Sequence, residues 1–309
     1  MSVAAAPLAL MQTPLFARAL HALGLEGGIE TLTADGREVG HALVIARGLP
    51  LLGGMRAVLR GPVWNSDAPP EARLDGLRGL GRARPSLIET DAPEPVLHRA
   101  GYRMIMTPGA TGWLDVATAP TDEMPRAHPK WRASLAKARG AQLAIETGPF
   151  RGAGADWLLT REAALRRARR YRSVAAPLAR ALATRAPDTL CLLTARTGED
   201  APTIIAAMLF VRHGASATYL IGATTQDGRA TCAHHLLLAR ACHQLRQEGV
   251  RWLDLGQIDT VANPGLARFK LGTGARLHEL GGSWLRLPFA DRRLFTGRAG
   301  SPMVEALHR

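Results

Sequence analysis

The stretch WLDLGQIDTVANPGLARFKLGTGARLHELGGSW, residues 252–284, decides how this chain is interpreted. It opens as a strand, and Asp254 lies at the carboxyl end of that strand, an edge from which α/β proteins often present functional groups. The glycines that follow permit the close backbone approach that the wall of a binding site requires. Among them is Lys270, one of only three lysines among 39 basic residues, which indicates a need for a compact ammonium rather than a guanidinium fork.

These two residues are our predicted catalytic residues, and each has a plainer alternative. Lys270 either carries charge at the site or is a lysine by chance, with no function. Asp254 orients or deprotonates a substrate amine, or it pairs with an arginine and only holds its loop.

A strand, a polar loop and a long helix precede this stretch. The strand is predicted over residues 217–223, and the loop over 224–230 leads into a helix whose first free N–H groups are expected at residues 230–233. Such a helix N-terminus attracts phosphate or another anion, and Arg229 is placed to clamp it. An ordinary capped helix with no ligand is the alternative.

Composition and charge bound the function. The chain has 309 residues, 47% of them hydrophobic and 21% charged, which excludes a disordered or collagen-like protein. Its longest apolar run, residues 204–211, is too short to cross a membrane, so no transmembrane segment is expected. The net charge of +13 favours polyanionic partners, including peripheral contact with an anionic membrane surface, unless the arginines reflect coding bias.

Cysteine usage and the N-terminus indicate a cytoplasmic protein. Three cysteines cannot form a closed set of disulfides, and the first residues lack the basic region of a secretory signal. Cys232 and Cys242 share a predicted helix with three histidines, but ten residues separate them by about 15 Å, so both cannot bind one ion. No metal is expected.

The order of predicted elements is mixed α/β in both halves of the chain. Prolines at 120, 125 and 129 mark a linker, so we predict one domain over residues 1–122 and another over 123–309. A long helix is expected from Asp156, its predicted N-cap, to Tyr171, with an arginine-rich face that is either solvated or docked against nucleic acid.

Several motifs in this order resemble the GNAT acyltransferase superfamily, most closely the branch of Fem-type aminoacyltransferases and exopolysaccharide acetyltransferase-like proteins. The motifs are YLIGAT (219–224), WLDLG (252–256), GLARFKLGTGA (265–275) and LGGSW (280–284), with RGPV (60–63) and the basic helix from Trp131 to Lys137 in agreement.

The resemblance implies two GNAT-like domains in tandem that face a shared cleft. The first domain lies on the acceptor side, with Arg60 and Trp64 toward the acceptor, although Trp64 is alternatively a core aromatic residue. The second lies on the acyl-donor side, where Phe269 and Lys270 contact the activated acyl group or stabilise negative charge. Donor-binding residues are then Phe269, Tyr219, Thr224, Arg229, Ala230 and Thr231.

The implied activity is transfer of an acyl group, from acyl-CoA or as an aminoacyl group, to an amine of a small-molecule or cell-envelope acceptor. Residues 226–230 lack the Arg-x-x-Gly-x-Gly/Ala pattern with which many GNAT enzymes bind CoA, a lack shared with Fem proteins that use aminoacyl-tRNA. A Fem-like, aminoacyl-tRNA-dependent transferase is therefore one alternative. A basic nucleic-acid-binding protein or a catalytically silent GNAT-like interaction protein is another.

Overall fold

The computed structural model describes residues 7–48, 54–81, 84–117, 124–170, 173–197 and 203–287. In these ranges the chain forms two mixed, seven-stranded sheets and eight α-helices, which confirms the predicted mixed α/β class. The predicted boundary between residues 122 and 123 falls outside the described residues and stays a prediction, as does Tyr171 at the predicted helix end.

The strands are numbered here in chain order. They are β1 (Glu26–Ala34), β2 (Arg37–Arg47), β3 (Met55–Leu59), β4 (Val63–Trp64), β5 (Ser86–Glu89), β6 (Arg103–Met106), β7 (Ala110–Asp115), β8 (Ala144–Gly148), β9 (Leu190–Thr197), β10 (Thr203–His213), β11 (Ser216–Thr224), β12 (Trp252–Gln257), β13 (Arg276–Glu279) and β14 (Ser283–Arg286).

The helices follow the same convention. They are α1 (Pro14–Ala22), α2 (Pro70–Leu80), α3 (Pro129–Gly140), α4 (Gly152–Arg169), α5 (Ala175–Arg185), α6 (Gln226–Ala230), α7 (Ala233–Gln247) and α8 (Pro264–Leu271). Two single turns of 3-10 helix, at Leu10–Gln12 and Pro187–Thr189, complete the set in the described ranges.

The first sheet has the strand order β1-β2-β3-β5-β14-β6, with β4 paired to β2. The second has the order β13-β7-β12-β11-β10-β9-β8. Each sheet therefore takes one strand from the other half of the chain, because β7 lies in the second sheet and β14 in the first. The two halves are joined by paired strands as well as by the linker.

The second sheet is buried on both faces, and its central strand shows why the sequence there is continuously apolar. In β10, Met208 and Phe210 pack on one face in a core with α3 and α7. Leu209 and Val211 pack on the other face, in a core that includes α4, α5 and the N-terminal α1. Alternate side chains of one strand thus serve two cores, as expected for a strand covered on both faces.

Two predicted helix starts are wrong in the structure. Helix α4 begins at Gly152, so Asp156 lies inside it and is not its N-cap. The helix expected to start near residue 230 is divided: α6 ends at Ala230, Cys232 adopts a left-handed conformation with φ of 57°, and α7 starts at Ala233. Thr225 caps α6 by accepting a hydrogen bond from the Gly228 amide, which starts a helix where a loop was expected.

Candidate active site

The candidate site begins where two parallel strands of the second sheet separate. Strands β11 and β12 pair only from Ser216 with Trp252 to Thr218 with Asp254. Beyond that point β12 continues toward β7, and β11 continues beside β10. Asp254 is thus the last residue of β12 that pairs with β11, and Tyr219 is the first residue of β11 past the separation.

A buried cluster of one guanidinium and two carboxylates joins the two sheets at this point. Arg60, which follows β3 in the first sheet, donates through Nη1 to Asp254 Oδ2 at 3.2 Å and through Nε to Asp91 Oδ1. Arg60 and Asp254 are only 6% and 3% exposed. His278, from β13, contacts the backbone oxygen of Asp91 at 2.6 Å and its carboxylate at 3.3 Å. Asp254 therefore pairs with an arginine, as one of the two alternatives for this residue expects.

The pKa values of the two carboxylates of this cluster are shifted in opposite directions. Burial raises the pKa of Asp254, and the charge of Arg60 opposes that rise. Burial also acts to raise the pKa of Asp91, but the hydrogen bond from His278 and the charge of Arg60 outweigh it, so this pKa is lowered. Environments that separate the pKa values of two neighbouring acids assign them different roles. Of the two carboxylates, Asp254 is the better proton acceptor, and Asp91 stays negatively charged.

The backbone around Arg60 is built to hold that side chain. Arg60 has a positive φ of 57°, which is uncommon for a residue with a Cβ atom. The next residue, Gly61, lies against the buried Gln12, whose side-chain atoms would be 2.5–2.7 Å from a Cβ atom at this position. Gln12 itself donates to Leu59 O and accepts from the Leu43 amide. The Gly-Pro motif thus places the preceding arginine at the junction of the sheets.

Lys270 lies in the last turn of α8, close to Asp254. It is 6% exposed, and its Nζ donates to Gln257 O at 2.9 Å. A Cβ atom at Gly256 would lie 3.7 Å from Nζ, and the Gly256 amide donates to Asp254 Oδ1 at 2.7 Å, so both charged groups adjoin the same glycine. Burial lowers the pKa of Lys270 to about 8, with Asp254 opposing the shift.

Phe269 packs in an aromatic group at the other side of α8. Its ring is 5.1 Å from that of His235 and 6.2 Å from that of Trp131, and its carbonyl accepts from Trp131 Nε1 at 3.1 Å. Burial lowers the pKa of His235 to about 4, so this histidine is neutral near pH 7. The phenylalanine therefore lines the second sheet's core next to the lysine.

The remaining predicted donor residues lie along β11 and α6. Tyr219 packs against Phe210, and burial raises the pKa of its hydroxyl. Thr224 and Thr231 donate to backbone oxygens nearby, from Ile205 and Asp227 respectively. These threonine hydroxyls thus already donate hydrogen bonds within the protein.

Arg229 and Ala230 are exposed at the end of α6, with the Arg229 guanidinium 3.5 Å from Thr224 O. In the described ranges, the hydrogen bonds of Arg229 go to residues 224–232 and do not reach the buried cluster.

Trp64 lies at a cavity of about 210 Å³ that Arg60 and Asp91 also line. The structure thus places Arg60, Asp254 and Lys270 together, with Trp64 adjoining Arg60 across this cavity. The predicted role of Trp64 toward the acceptor stays a prediction.

Asp91 and His278 are the site residues that the sequence reasoning missed. Asp91 follows the end of β5 by two residues, which is the same strand-end position that drew attention to Asp254. His278 carried no such signal, because only the pairing of β13 with β7 brings it near Asp91. The connection between β13 and β14 is fixed tightly here, since a Cβ atom at Gly281 would lie 2.0 Å from Thr90 Oγ1.

The described residues contain no group of three His, Cys, Asp or Glu side chains arranged to hold a metal ion. In those same ranges, no helix has the length and apolar character needed to span a membrane.

Comparison with known proteins agrees with this geometry. A family model described as an acetyltransferase (GNAT) domain matches residues 129–274. The chain contains a GNAT domain. A search of curated protein sequences found no match.

Solved structures show that the fold extends beyond that domain. The chain resembles FemX with a TM-score of 0.72 at 14% identity, over 90% of this chain and 92% of that one. It resembles a tandem GNAT protein from the clavulanic acid biosynthesis pathway with a TM-score of 0.53 at 16% identity, over 96% and 91% of the two chains. L-PGS from Bacillus licheniformis gives 0.54 at 13% identity, over 93% and 96%. The resemblance to the Fem-type branch of GNAT proteins is thus confirmed at the level of the fold.

Proposed function

We propose that the protein is an N-acyltransferase that moves an acyl group from acyl-CoA to an amine held at the junction of its two sheets. The observation that carries this proposal is the contact of Arg60 with Asp254 across the sheets, beside Lys270. GNAT domains generally bind acyl-CoA, and in the described residues β11 has no pairing with β12 beyond Thr218, so we place an extended donor at that edge. The cluster carries two carboxylates for one guanidinium, so it favours a cationic amine.

The residues present divide the chemistry between them. Asp254, with its raised pKa, accepts a proton from the acceptor ammonium and frees the neutral amine for attack on the acyl carbonyl. The C–N bond forms, the C–S bond to CoA breaks, and the departing thiolate takes the second proton that the nitrogen loses. Lys270 in its protonated form stabilises negative charge on the carbonyl oxygen. Asp91 remains ionised and holds Arg60, so that its guanidinium keeps Asp254 in position. Alignment of the two substrates supplies much of the acceleration, about 7–11 kcal/mol for well-oriented reactants.

An assay of free thiol release tests this proposal. The purified chain is incubated with acetyl-CoA and a panel of primary amines, and Lys270→Met is compared with Lys137→Met, which changes an exposed lysine on α3. We expect amine-dependent thiol release by the wild type and by Lys137→Met, and at least about a hundredfold less by Lys270→Met. Equal release by all three, or none with any amine, contradicts the proposal. The second result favours the silent interaction protein.

A second candidate, transfer from aminoacyl-tRNA, is favoured by the arginines of α4. Arg161, Arg167 and Arg169 are exposed, and Arg169 Nη1 donates to Asn263 Oδ1 at 3.2 Å. Asn263 precedes α8, the helix that carries Phe269 and Lys270. A basic face next to the proposed donor side suits a polyanionic donor.

Thermal unfolding with each donor separates the two candidates. A ligand at a hundredfold excess over its Kd raises stability by about 2.7 kcal/mol. Stabilisation by acetyl-CoA supports the first candidate. Stabilisation by charged tRNA but not by uncharged tRNA supports the second candidate. The same stabilisation should be lost in the double variant Arg161→Gln with Arg167→Gln.

A further inference from the structure

Helix α4 carries apolar and basic side chains in alternation along one ridge. Trp157, Arg161, Leu165 and Arg169 follow one another at intervals of four residues, which places them along the same ridge of the helix surface. Both arginines are exposed, Leu165 is 37% exposed and Trp157 is half-buried, with the Arg161 guanidinium 5.6 Å from its ring centroid. Apolar side chains set among exposed arginines are typical of helices that lie in a membrane interface.

The loop before α8 adds two exposed apolar side chains to this ridge. Arg169 Nη1 donates to Asn263 Oδ1 at 3.2 Å, which joins the end of α4 to the residue before α8. Val261, two residues earlier, is 90% exposed, and its amide donates to Asp259 Oδ1 at 3.0 Å. Leu266, in the first turn of α8, is 44% exposed. The ridge and the loop together form what we call the α4–α8 surface: Trp157, Arg161, Leu165, Arg169, Val261 and Leu266.

The charge on the α4–α8 surface is positive. Helix α4 contains two acids, of which Glu162 is buried and Asp156 lies nine residues from Leu165, on the opposite side of the helix. Asp259 is the single acid in residues 258–271, and it already accepts from the amides of its own loop. Arg268, exposed on α8, adds a further cation. The surface therefore complements a partner that is both anionic and apolar.

We propose that the α4–α8 surface binds an anionic lipid bilayer, with Val261, Leu165 and Leu266 among the acyl chains and the arginines at the lipid phosphates. A bilayer suits both kinds of side chain, because the cations meet anionic headgroups and the aliphatic groups leave water. A nucleic acid would meet the arginines, but its bases stack on open aromatic faces. Here the ring of Trp157 already carries the Arg161 guanidinium, and the other apolar groups are aliphatic.

This inference goes beyond acyl transfer and does not depend on it. It does bear on where the candidate site works, because the same helix belongs to both. Leu266 and Lys270 are four residues apart on α8, which is about 6 Å along the helix axis. A bilayer against Leu266 therefore brings the turn that carries Lys270 close to the membrane surface.

Co-sedimentation of the full chain with lipid vesicles tests the inference without a donor or an acceptor. Vesicles of phosphatidylcholine and phosphatidylglycerol in equal parts are compared with vesicles of phosphatidylcholine alone. We expect the wild type to bind the anionic vesicles at least about tenfold more strongly. Val261→Ser should weaken that binding about five- to tenfold, and Arg161→Gln about fivefold.

Two matched control variants lie outside the α4–α8 surface. Ile29→Ser removes an apolar side chain that is 42% exposed on β1, and Lys137→Gln removes an exposed cation from α3. Each should change vesicle binding by less than about twofold, since exposed charges away from the contact are screened by salt. Circular dichroism verifies that each variant is folded, which is expected because each substitution is on the exposed surface.

Each remaining outcome overturns the inference. Absence of binding to the anionic vesicles does so directly. Equal losses in the surface and control variants assign the binding to diffuse positive charge. Unchanged vesicle binding in Val261→Ser, with weaker tRNA binding in Arg161→Gln, assigns the surface to nucleic acid. Self-association that Val261→Ser abolishes, without vesicle binding, assigns it to a second copy of the chain. A failure of acyl transfer alone leaves the inference standing, because the vesicle assay contains no donor.

Discussion

In the second sheet, β10 is buried over almost its whole length, whereas β1 at the edge of the first sheet exposes six of its nine residues. The second sheet packs cores on both faces and supplies Asp254, with Lys270 beside it on α8. The segments that follow β3 and β5 of the first sheet supply Arg60 and Asp91. The comparison teaches that the proposed proton acceptor and charge stabiliser come from the half that is buried on both faces, and the residues that hold Asp254 in position from the half with an exposed edge.

The largest expected effect tests that difference in packing. Phe210→Ala in β10 removes a fully buried ring and should lower the free energy of unfolding by about 3–5 kcal/mol. Ile29→Ala in β1 removes a side chain that is 42% exposed and should change it by about 0.5 kcal/mol or less. Urea unfolding followed by circular dichroism measures both. Similar losses in the two variants would break the comparison.

Lys270→Met should affect activity and stability in opposite directions. Removal of a buried ammonium should raise the free energy of unfolding at pH 7 by about 1–3 kcal/mol, while transfer falls about 10²–10³-fold. The pKa of Lys270 is lowered to about 8 in the folded state, so the wild type is penalised below pH 8 and recovers as pH rises toward the unfolded value. The stability advantage of the variant should therefore shrink between pH 8 and 10.5. An advantage that grows over that range contradicts the assigned pKa.

Much of this arrangement was accessible from local sequence. The bounds of helix α2 and strand β5 follow from local signals, because a proline stands at the start of the helix and the strand is a short apolar run. The strand-end position of Asp254 and the rarity of Lys270 predicted two residues that the structure places together with Arg60.

Non-local contacts explain what the sequence could not show. The pairing of β14 with β5 and the contact of His278 with Asp91 join residues nearly two hundred positions apart. Similarly, the break at Cys232 interrupts a run that is otherwise suited to one continuous helix. No periodicity within a short window carries such information, since it depends on how distant segments pack.

The pH dependence of transfer should show two limbs, one from Asp254 and one from Lys270. The rate should rise with pH as Asp254 loses its proton, through a pKa above the usual range of an aspartate. It should fall above about pH 8 as Lys270 loses its proton, about tenfold per pH unit at the limit. In Lys270→Arg the alkaline limb should disappear, because a guanidinium stays charged. Persistence of that limb in the variant assigns it to another group.

The smallest expected effect concerns the exposed end of α6. Arg229→Ala should raise the KM for acyl-CoA by the equivalent of about 0.3–1 kcal/mol, because a single exposed cation near a helix end contributes little. The free energy of unfolding should stay within about 0.5 kcal/mol of the wild type. Steady-state kinetics at low and high salt measure the effect. A hundredfold loss would instead place the donor phosphates directly at this arginine.

The exchange of β14 has a consequence for biosynthesis. Strand β6 has Met104, Ile105 and Met106 43–64% exposed even in the finished fold. Among the described strands, it joins the first sheet through β14 alone. At about 5–20 residues per second, a ribosome needs about 10–40 s to pass from residue 106 to residue 286. During that interval both β5 and β6 lack their shared neighbour and expose unpaired edges. The nascent chain therefore carries unpaired sheet edges until β14 emerges.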